Sequence, residues 1–204
     1  MSVNPIQIEI LTKIRYPKYM ALLEIKKYPD PILRKKCQEV KDYNPPTTLP
    51  PSAGPSVTEE IKKLGWDMVE TMVENEGIGL AAPQVGELKR IIVVHPIEER
   101  TIEEKSKIKP QVFINPKIIK KSREAIIDEE GCLSFPGLFL KIKRAKEVEI
   151  EAQNEKGEKI RIETEGLPAR IFQHEIDHLD GILFIDRISF WQKLKIRKKL
   201  KQWH

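Results

Sequence analysis

The sequence is poor in cysteine and has no long apolar run, and each shortage excludes a class of protein. Two cysteines in 204 residues are too few for the disulfide framework of a small secreted domain. No apolar run approaches the roughly 20 residues that span a bilayer, and residues 1–25 hold neither a signal-peptide apolar block nor a small-residue cleavage site. We therefore expect a cytoplasmic protein with reduced cysteines and no membrane contact.

The length and composition predict one globular domain followed by a basic segment. A chain of 204 residues can bury most of the surface of a single core, and 40% hydrophobic with 33% charged residues exclude a mainly disordered chain. Six cations and no acid lie between Trp191 and His204. Because the formal net charge is +5, the rest of the chain carries about −1, so the body is nearly neutral.

Helical patterns occur at four places along the chain. Asp30 followed by Pro31 predicts a short helix that continues to Cys37. Apolar residues at three- and four-residue steps predict a second helix from Ser56 to about Asn75. A third is predicted over residues 167–180, with Pro168 near its start and Gly181 just past its end, and a fourth over residues 189–203.

Strand and loop patterns separate these helices in an irregular order. Strands are predicted over residues 90–95, 111–119, 125–128, 147–153 and 159–165, and the segment after Gly181 also has a strand-like pattern. The last two of the five strands pair as a hairpin across the turn at residues 154–157. Residues 43–56, with five prolines, predict an extended loop, and the glycine-rich residues 76–87 predict a close-packed one. No βαβ alternation is present, which predicts an α+β domain.

The third predicted helix contains the motif H-E-x-x-H, from His174 to His178. Four residues make just over one helical turn, so both imidazoles leave the same face and can bind one metal ion. Glu175 lies beside the first histidine, where its carboxylate can reach a metal-bound water. The alternative is a surface helix with two unrelated histidines. The motif favours a metal-dependent hydrolase.

A catalytic metal ion commonly has three protein ligands, so a third must be found. After His178 the next histidine is His204 at the terminus, and the third ligand must therefore come from upstream. Cys132 is the candidate, because it follows a flexible glycine in a polar setting. A lone cysteine is more often a small core residue, and we expect that for Cys37.

Three segments together resemble the signature motifs of the peptide deformylases. They are GIGLAAPQVG at residues 77–86, EGCLS at 130–134 and QHEIDHLDG at 173–181, in the order of that family, and the likeness extends from about Met20 to Arg187. The resemblance implies antiparallel sheets packed around a central HExxH helix, with a helix at the C-terminus. It also implies removal of the N-formyl group from the N-formylmethionine of nascent polypeptides, with release of formate.

The resemblance further implies a role for each matching residue. Metal ligands are Cys132, His174 and His178, and Glu175 is the general acid and base. Gln84 and the backbone N–H of Leu133 donate to the developing oxyanion, Gly79 lies beside the substrate backbone, and the apolar pocket for methionine includes Ile78, Leu167 and Ile171. Without the resemblance, a solvated loop amide is the default interpretation of Gln84 and an ordinary turn glycine that of Gly79, and the three apolar residues are equally plain core residues. These ligands suit Fe(II), Zn(II), Ni(II) or Co(II), and the family implies Fe(II).

The remaining segments are assigned relative to this resemblance. Residues 1–19 precede the usual family start, so they are an extension and Met20 is a candidate native start. Residues 20–188 form the predicted catalytic domain, and residues 43–56 are an insertion in it. Residues 189–204 form a basic helix that is either a solvated helix or a contact to ribosomal RNA. Two rival functions are a peptidase that uses the same helix and a non-catalytic metal-binding module, although binding alone needs neither Glu175 nor Gln84.

Overall fold

The computed structural model describes residues 21–41, 43–44, 56–95 and 110–201. Within these ranges the chain forms nine strands, three α-helices and short 3-10 turns. In chain order they are β1 (Tyr43–Asn44), β2 (Ser56–Val57), α1 (Glu59–Glu74), β3 (Gly79–Ala81), β4 (Ile91–Val94), β5 (Gln111–Lys121), β6 (Ala125–Cys132), β7 (Phe135–Ala145), β8 (Glu147–Gln153), β9 (Lys159–Glu165), α2 (Gly166–Leu179) and α3 (Phe190–Leu200). The predicted extension at 1–19 and most of the predicted loop at 43–56 lie outside the described residues.

The first predicted helix is a single 3-10 turn, Pro31–Arg34, whose first turn is capped by the Asp30 side chain. It is shorter than predicted, because Lys35 is already extended. Cys37 is buried in the core as expected.

Helix α1 confirms the second predicted helix, although it begins later than Ser56. The Thr58 hydroxyl accepts from the Ile61 N–H and caps the helix, because Ser56 and Val57 pair with β1 instead. Its apolar face packs on the sheet, where Gly65 permits a close approach: an added Cβ there would lie 2.8 Å from Val112 Cγ1.

Five strands form one antiparallel sheet in the order β3-β4-β5-β8-β9. The predicted hairpin of β8 and β9 is confirmed, with Glu147 opposite Glu165 and Gln153 opposite Lys159. The glycine-rich segment predicted as a loop contains the edge strand β3 and the 3-10 turn Ala82–Val85. Helices α1 and α2 both contact this sheet.

Strands β6 and β7 form a second, two-stranded antiparallel sheet. The sequence predicted only the first half of β6 and none of β7. In β7 the residues Leu138, Leu140, Ile142 and Arg144 are buried, and the lysines between them are exposed. The arginine at a buried position and the charged end of β6 obscured this alternation in the sequence.

Helix α2 is buried and contains the H-E-x-x-H motif. Every residue from Ala169 to Leu179 is buried, and the helix contacts strands of the larger sheet as well as β7. It ends as predicted, with Asp180 as C-cap and Gly181 in the left-handed region at φ +72°. The strand suggested for the segment after Gly181 was wrong. Phe184–Asp186 forms a 3-10 turn instead, and its apolar side chains are buried in the core. The α+β fold class is confirmed.

Helix α3 confirms the predicted C-terminal helix as far as the described residues extend. Ser189 caps its first turn by accepting from the Gln192 N–H. Ile196 and Leu200 pack against the core cluster that includes β7, whereas the basic face is exposed. None of the helices in the described part of the chain is long and apolar enough to cross a membrane.

Candidate active site

Three predicted metal ligands converge at the end of β6 and on the inner face of α2. One ligand atom from each of Cys132, His174 and His178 lies within 4.8 Å of the others, and Cys132 Sγ is 3.3 Å from His178 Nε2. The histidines are one turn apart on α2. Strand β6 ends at Cys132, after a shift in its pairing register with β7 between Glu130 and Cys132. The long-range convergence that the sequence could only infer is therefore present.

The residues of this cluster fit a divalent cation. A thiolate and two imidazoles are donors that bind Zn(II), Fe(II), Ni(II) and Co(II), and three protein ligands leave one coordination position for water or substrate. His174 Nδ1 lies 2.9 Å from a Glu130 carboxylate oxygen, which leaves its Nε2 for a cation. His178 Nδ1 is buried without a hydrogen-bond partner among the described residues, and its Nε2 faces the sulfur.

The pKa values of the two histidines are shifted in opposite directions. Burial opposes the charge on both rings. For His174 the hydrogen bonds with Cys132 and Glu130 outweigh burial, and its pKa lies well above the ordinary value. Burial and the neighbouring His174 hold the pKa of His178 well below the ordinary value. A ligating imidazole must be neutral, so a cation at these two rings competes with their protonation.

A buried network of ion pairs contacts helix α2, which carries the two histidine ligands. Glu130 accepts from Arg144 at 2.9 and 3.0 Å and from Arg170 at 2.7 Å. Asp177 on α2 accepts from Arg144 and from Arg187. Burial raises the pKa of Glu130, but hydrogen bonds with His174 and Arg144 outweigh it and hold that pKa well below its usual range. Glu130 is therefore ionised and fixes the orientation of the His174 ring.

Sequence reasoning missed this network, because strand β7 was not predicted and the burial of Arg144 was therefore not apparent. Arg144 occupies a buried position in an alternating strand, and a buried guanidinium requires a carboxylate partner. Glu130, the first residue of the EGCLS segment, is one such partner, but it received no role from the sequence.

Glu175 lies beside the cluster and is almost completely buried. Its Oε2 has no hydrogen-bond partner among the residues that the structure describes. Burial, together with the nearby charge of Glu130, raises its pKa to about 7, although His174 acts in the opposite direction. A carboxyl group with such a pKa can both accept and return a proton near neutral pH.

Gln84 is held in the 3-10 turn with its amide directed at the cluster. Its Oε1 accepts from the Ala81 N–H at 2.8 Å, which fixes the orientation of the amide. Its Nε2 donates to Ser134 Oγ at 3.2 Å and lies 3.5 Å from Cys132 Sγ. Leu133 follows Cys132 in the turn between β6 and β7, so the two predicted donors lie in separate loops.

The four predicted substrate-binding residues occupy two kinds of position. Ile78 and Leu167 expose 41% and 43% of their surface, whereas Ile171 is buried one turn before the ligands. Gly79 packs against Glu175: an added Cβ would lie 2.9 Å from Glu175 Cδ and 2.9 Å from Ile171 Cγ2. Its missing side chain thus makes room for the carboxylate, a reason that the sequence did not supply.

The chain has clear relatives among known proteins. The sequence-based family model for polypeptide deformylases matches residues 22–194 of the chain. The chain belongs to this family.

A peptide deformylase from Thermodesulfovibrio yellowstonii is 46% identical over 89% of the chain and 98% of that relative. The crystal structure of peptide deformylase from Ehrlichia chaffeensis has a TM-score of 0.74 at 36% identity, covering 89% of this chain and 96% of that one. The structure from Thermotoga maritima has a TM-score of 0.68 at 39% identity, covering 83% and 99%. Members of the family are metal-dependent hydrolases that deformylate nascent peptides.

Proposed function

We propose that Cys132, His174 and His178 hold the divalent cation on which the hydrolysis depends, with Glu175 as the proton carrier. As a family member the chain is a hydrolase that removes the N-formyl group from nascent polypeptides and releases formate. The observation that carries the residue assignment is the convergence of the three ligand atoms within 4.8 Å of one another, beside a buried carboxyl group.

The chain's own residues supply proton transfer and charge stabilisation. Cys132, His174 and His178 would hold a cation that would supply Lewis-acid chemistry and lower the pKa of the attacking water. Glu175 accepts a proton from the attacking water and returns it to the departing amine nitrogen. The Gln84 amide and the Leu133 N–H donate to the formyl oxygen as negative charge develops there. The buried setting of Gln84 and Glu175 strengthens both interactions, since little water competes.

The substrate is N-formylmethionine at the start of a nascent chain. Ile78, Leu167 and Ile171 form the apolar surface for the methionine side chain, and two of them are partly exposed as a substrate pocket requires. The substrate backbone passes Gly79.

Substitution of Glu175 tests the chemical assignment. Formate release from formyl-Met-Ala-Ser is measured anaerobically for the wild type, Glu175→Gln and the control Glu163→Gln, an exposed residue of β9. We expect Glu175→Gln to lose about 10²–10⁴-fold in kcat with unchanged cation content, and the control to match the wild type. Full activity of Glu175→Gln would refute the assignment, and faster cleavage of unformylated peptides would favour a peptidase.

We propose Fe(II) as the physiological cation. The support is the ligand set, which suits Fe(II) among other cations, together with the family resemblance. Protein purified anaerobically and loaded with Fe(II) or Zn(II) is compared on the same substrate. A zinc form more active than the iron form would contradict this assignment.

We further propose that residues 189–204 contact ribosomal RNA, while residues 20–188 form the catalytic domain. On α3 the side chains of Phe190 and Trp191 are 66% and 72% exposed, and the basic face is exposed next to them. Cations bind phosphates with release of counterions, and exposed aromatic rings stack on bases. The cytoplasmic location stays a prediction from the sequence.

The RNA contact is tested by ribosome co-sedimentation at low and raised salt. The variant Lys193→Gln/Lys195→Gln/Lys198→Gln removes three exposed charges and leaves the packed residues Ile196 and Leu200 in place. We expect weaker co-sedimentation with unchanged deformylation of a free peptide. Unchanged co-sedimentation would exclude an electrostatic contact.

A further inference from the structure

Three consecutive residues near the N-terminus bridge the two loops that carry Gln84 and Leu133. We propose that this bridging segment, Lys26–Tyr28, positions both oxyanion donors for the reaction. The inference rests on the donor roles proposed above for Gln84 and Leu133. The residues of the segment are positioning residues, because they act through the two donors.

Each residue of the bridging segment makes one hydrogen bond to the loops. The Lys26 N–H donates to the Gln84 carbonyl at 2.7 Å. Lys27 Nζ donates to the Leu133 carbonyl at 2.8 Å, and the Tyr28 N–H donates to the Ser134 carbonyl at 3.0 Å. The backbone of each donor residue is therefore held directly by the same short stretch of chain.

The bridging segment is itself anchored in the core on both sides. Ile25, which precedes it, is buried. The Tyr28 ring stacks on Phe135 with the centroids 4.9 Å apart and an angle of 24° between the planes, and Phe135 is completely buried. An anchored segment can fix the loops that it binds, whereas a loose one could not.

The two donors need such a connection because they lie on separate parts of the fold. Gln84 follows β3 of the five-stranded sheet, and Leu133 lies in the turn of the β6–β7 sheet. The Gln84 to Ser134 side-chain bond links the two loops directly, and the bridging segment supplies a second link. An oxyanion hole is effective only when both donors reach the same oxygen at about 2.7–3.1 Å, so a small shift between the loops lowers the rate.

Lys27 is the residue through which the inference can be tested. It is exposed, and its ammonium group donates to a single backbone carbonyl, so Lys27→Met removes the bond without disturbing the core. We expect kcat on formyl-Met-Ala-Ser to fall about tenfold, less than the ~10²–10³-fold loss on removing a donor outright, with KM within twofold. Lys27→Arg retains a cationic donor and restores most of the activity. Lys62→Met, at a lysine of α1 paired with Glu59, is the matched control and keeps full activity.

A pair of inhibitors separates positioning from general loss of structure. A peptide hydroxamate has an oxygen where the oxyanion develops, whereas a peptide thiol binds the cation through sulfur and needs neither donor. We expect Lys27→Met to weaken the dissociation constant of the hydroxamate about tenfold and leave that of the thiol unchanged. The melting temperature should match that of Lys62→Met.

The outcomes distinguish this inference from the proposal on which it rests. Gln84→Leu tests the donor role itself: unchanged kcat in that variant refutes the oxyanion assignment. If kcat falls in Gln84→Leu but is normal in Lys27→Met, only the positioning role of the bridging segment is refuted. Equal weakening of both inhibitors by Lys27→Met also refutes it, since a generally distorted site would produce that result.

Discussion

At the scale of single residues, the site depends on one missing side chain and one buried carboxyl group. Gly79 and Glu175 are 96 positions apart in the sequence, yet the carboxylate packs directly against the glycine. The edge strand β3 and helix α2 can approach this closely only where no Cβ intervenes. The position of the proton carrier therefore depends on a residue outside its own motif.

Gly79→Ala is predicted to lose activity and to retain the cation. The added methyl would lie 2.9 Å from Glu175 Cδ and would displace the carboxylate. A misplacement of about 1 Å can cost ~10²-fold in rate, so we expect kcat to fall by about that factor. Gly65→Ala, where the added methyl meets Val112 away from the site, is the control: its melting temperature changes but its kcat does not. Normal kcat in Gly79→Ala would mean that the carboxylate can be relocated freely.

The two cysteines are predicted to differ in reactivity. Burial raises the pKa of Cys37 to about 11, whereas Cys132 is partly exposed. Iodoacetamide at pH 8 should label Cys132 and leave Cys37 unlabelled, and a bound cation should protect Cys132, as mass spectrometry can show. Labelling of Cys37 first would contradict the burial.

The pH dependence of stability follows from Cys37. Its thiol ionises near 9 in the unfolded chain and near 11 in the folded one, so the unfolded state binds fewer protons between these values. The free energy of unfolding should therefore decrease as the pH rises from 9 to 11. Urea titrations should show a smaller decrease for Cys37→Ala, and equal slopes would refute the assignment.

At the scale of elements, buried charges join β6, β7 and α2. Arg144→Met leaves the carboxylates of Glu130 and Asp177 buried without this partner, and we expect it to cost about 3–5 kcal/mol of unfolding free energy. Arg161→Met removes a solvent-exposed arginine of the edge strand β9 from its pair with Glu149, so it should cost much less than Arg144→Met. Denaturant titration of the two variants measures the difference. Similar costs would show that the buried network contributes no more than a surface pair.

At the scale of the whole molecule, local patterns in the sequence predicted more than long-range ones. The periodicity of α1 and α2, the turn between β8 and β9 and the four-residue histidine spacing are all local, and each is confirmed. Strand β7 was missed because a buried arginine interrupts its apolar face. Arg144 pairs with Glu130 and Asp177, which lie 14 and 33 residues away in the sequence. Such distances are beyond the reach of any local pattern. The role of Gly79 beside Glu175 was invisible for the same reason.

Removal of the cation is predicted to destabilise the protein. A ligand that binds only the folded state adds to its stability, and saturating cation should raise the melting temperature by about 5–10 °C. Calorimetry with and without a chelator measures this shift. His178→Ala lacks one ligand and should show no shift, whereas a shift of equal size in that variant would place the cation elsewhere.

The way in which the β6–β7 sheet is attached to the rest of the fold has a consequence for oxidative inactivation. In the described chain it shares no strand pairing with the larger sheet, and side chains such as Arg144 and Arg170 attach it to helix α2. A cation bound by Cys132 and the two histidines would link the β6–β7 sheet to helix α2. Oxidation of the Cys132 sulfur would prevent it from binding the cation and would therefore stop turnover. The same change would remove a link between the β6–β7 sheet and helix α2. Inactivated molecules would therefore unfold and be proteolysed more easily.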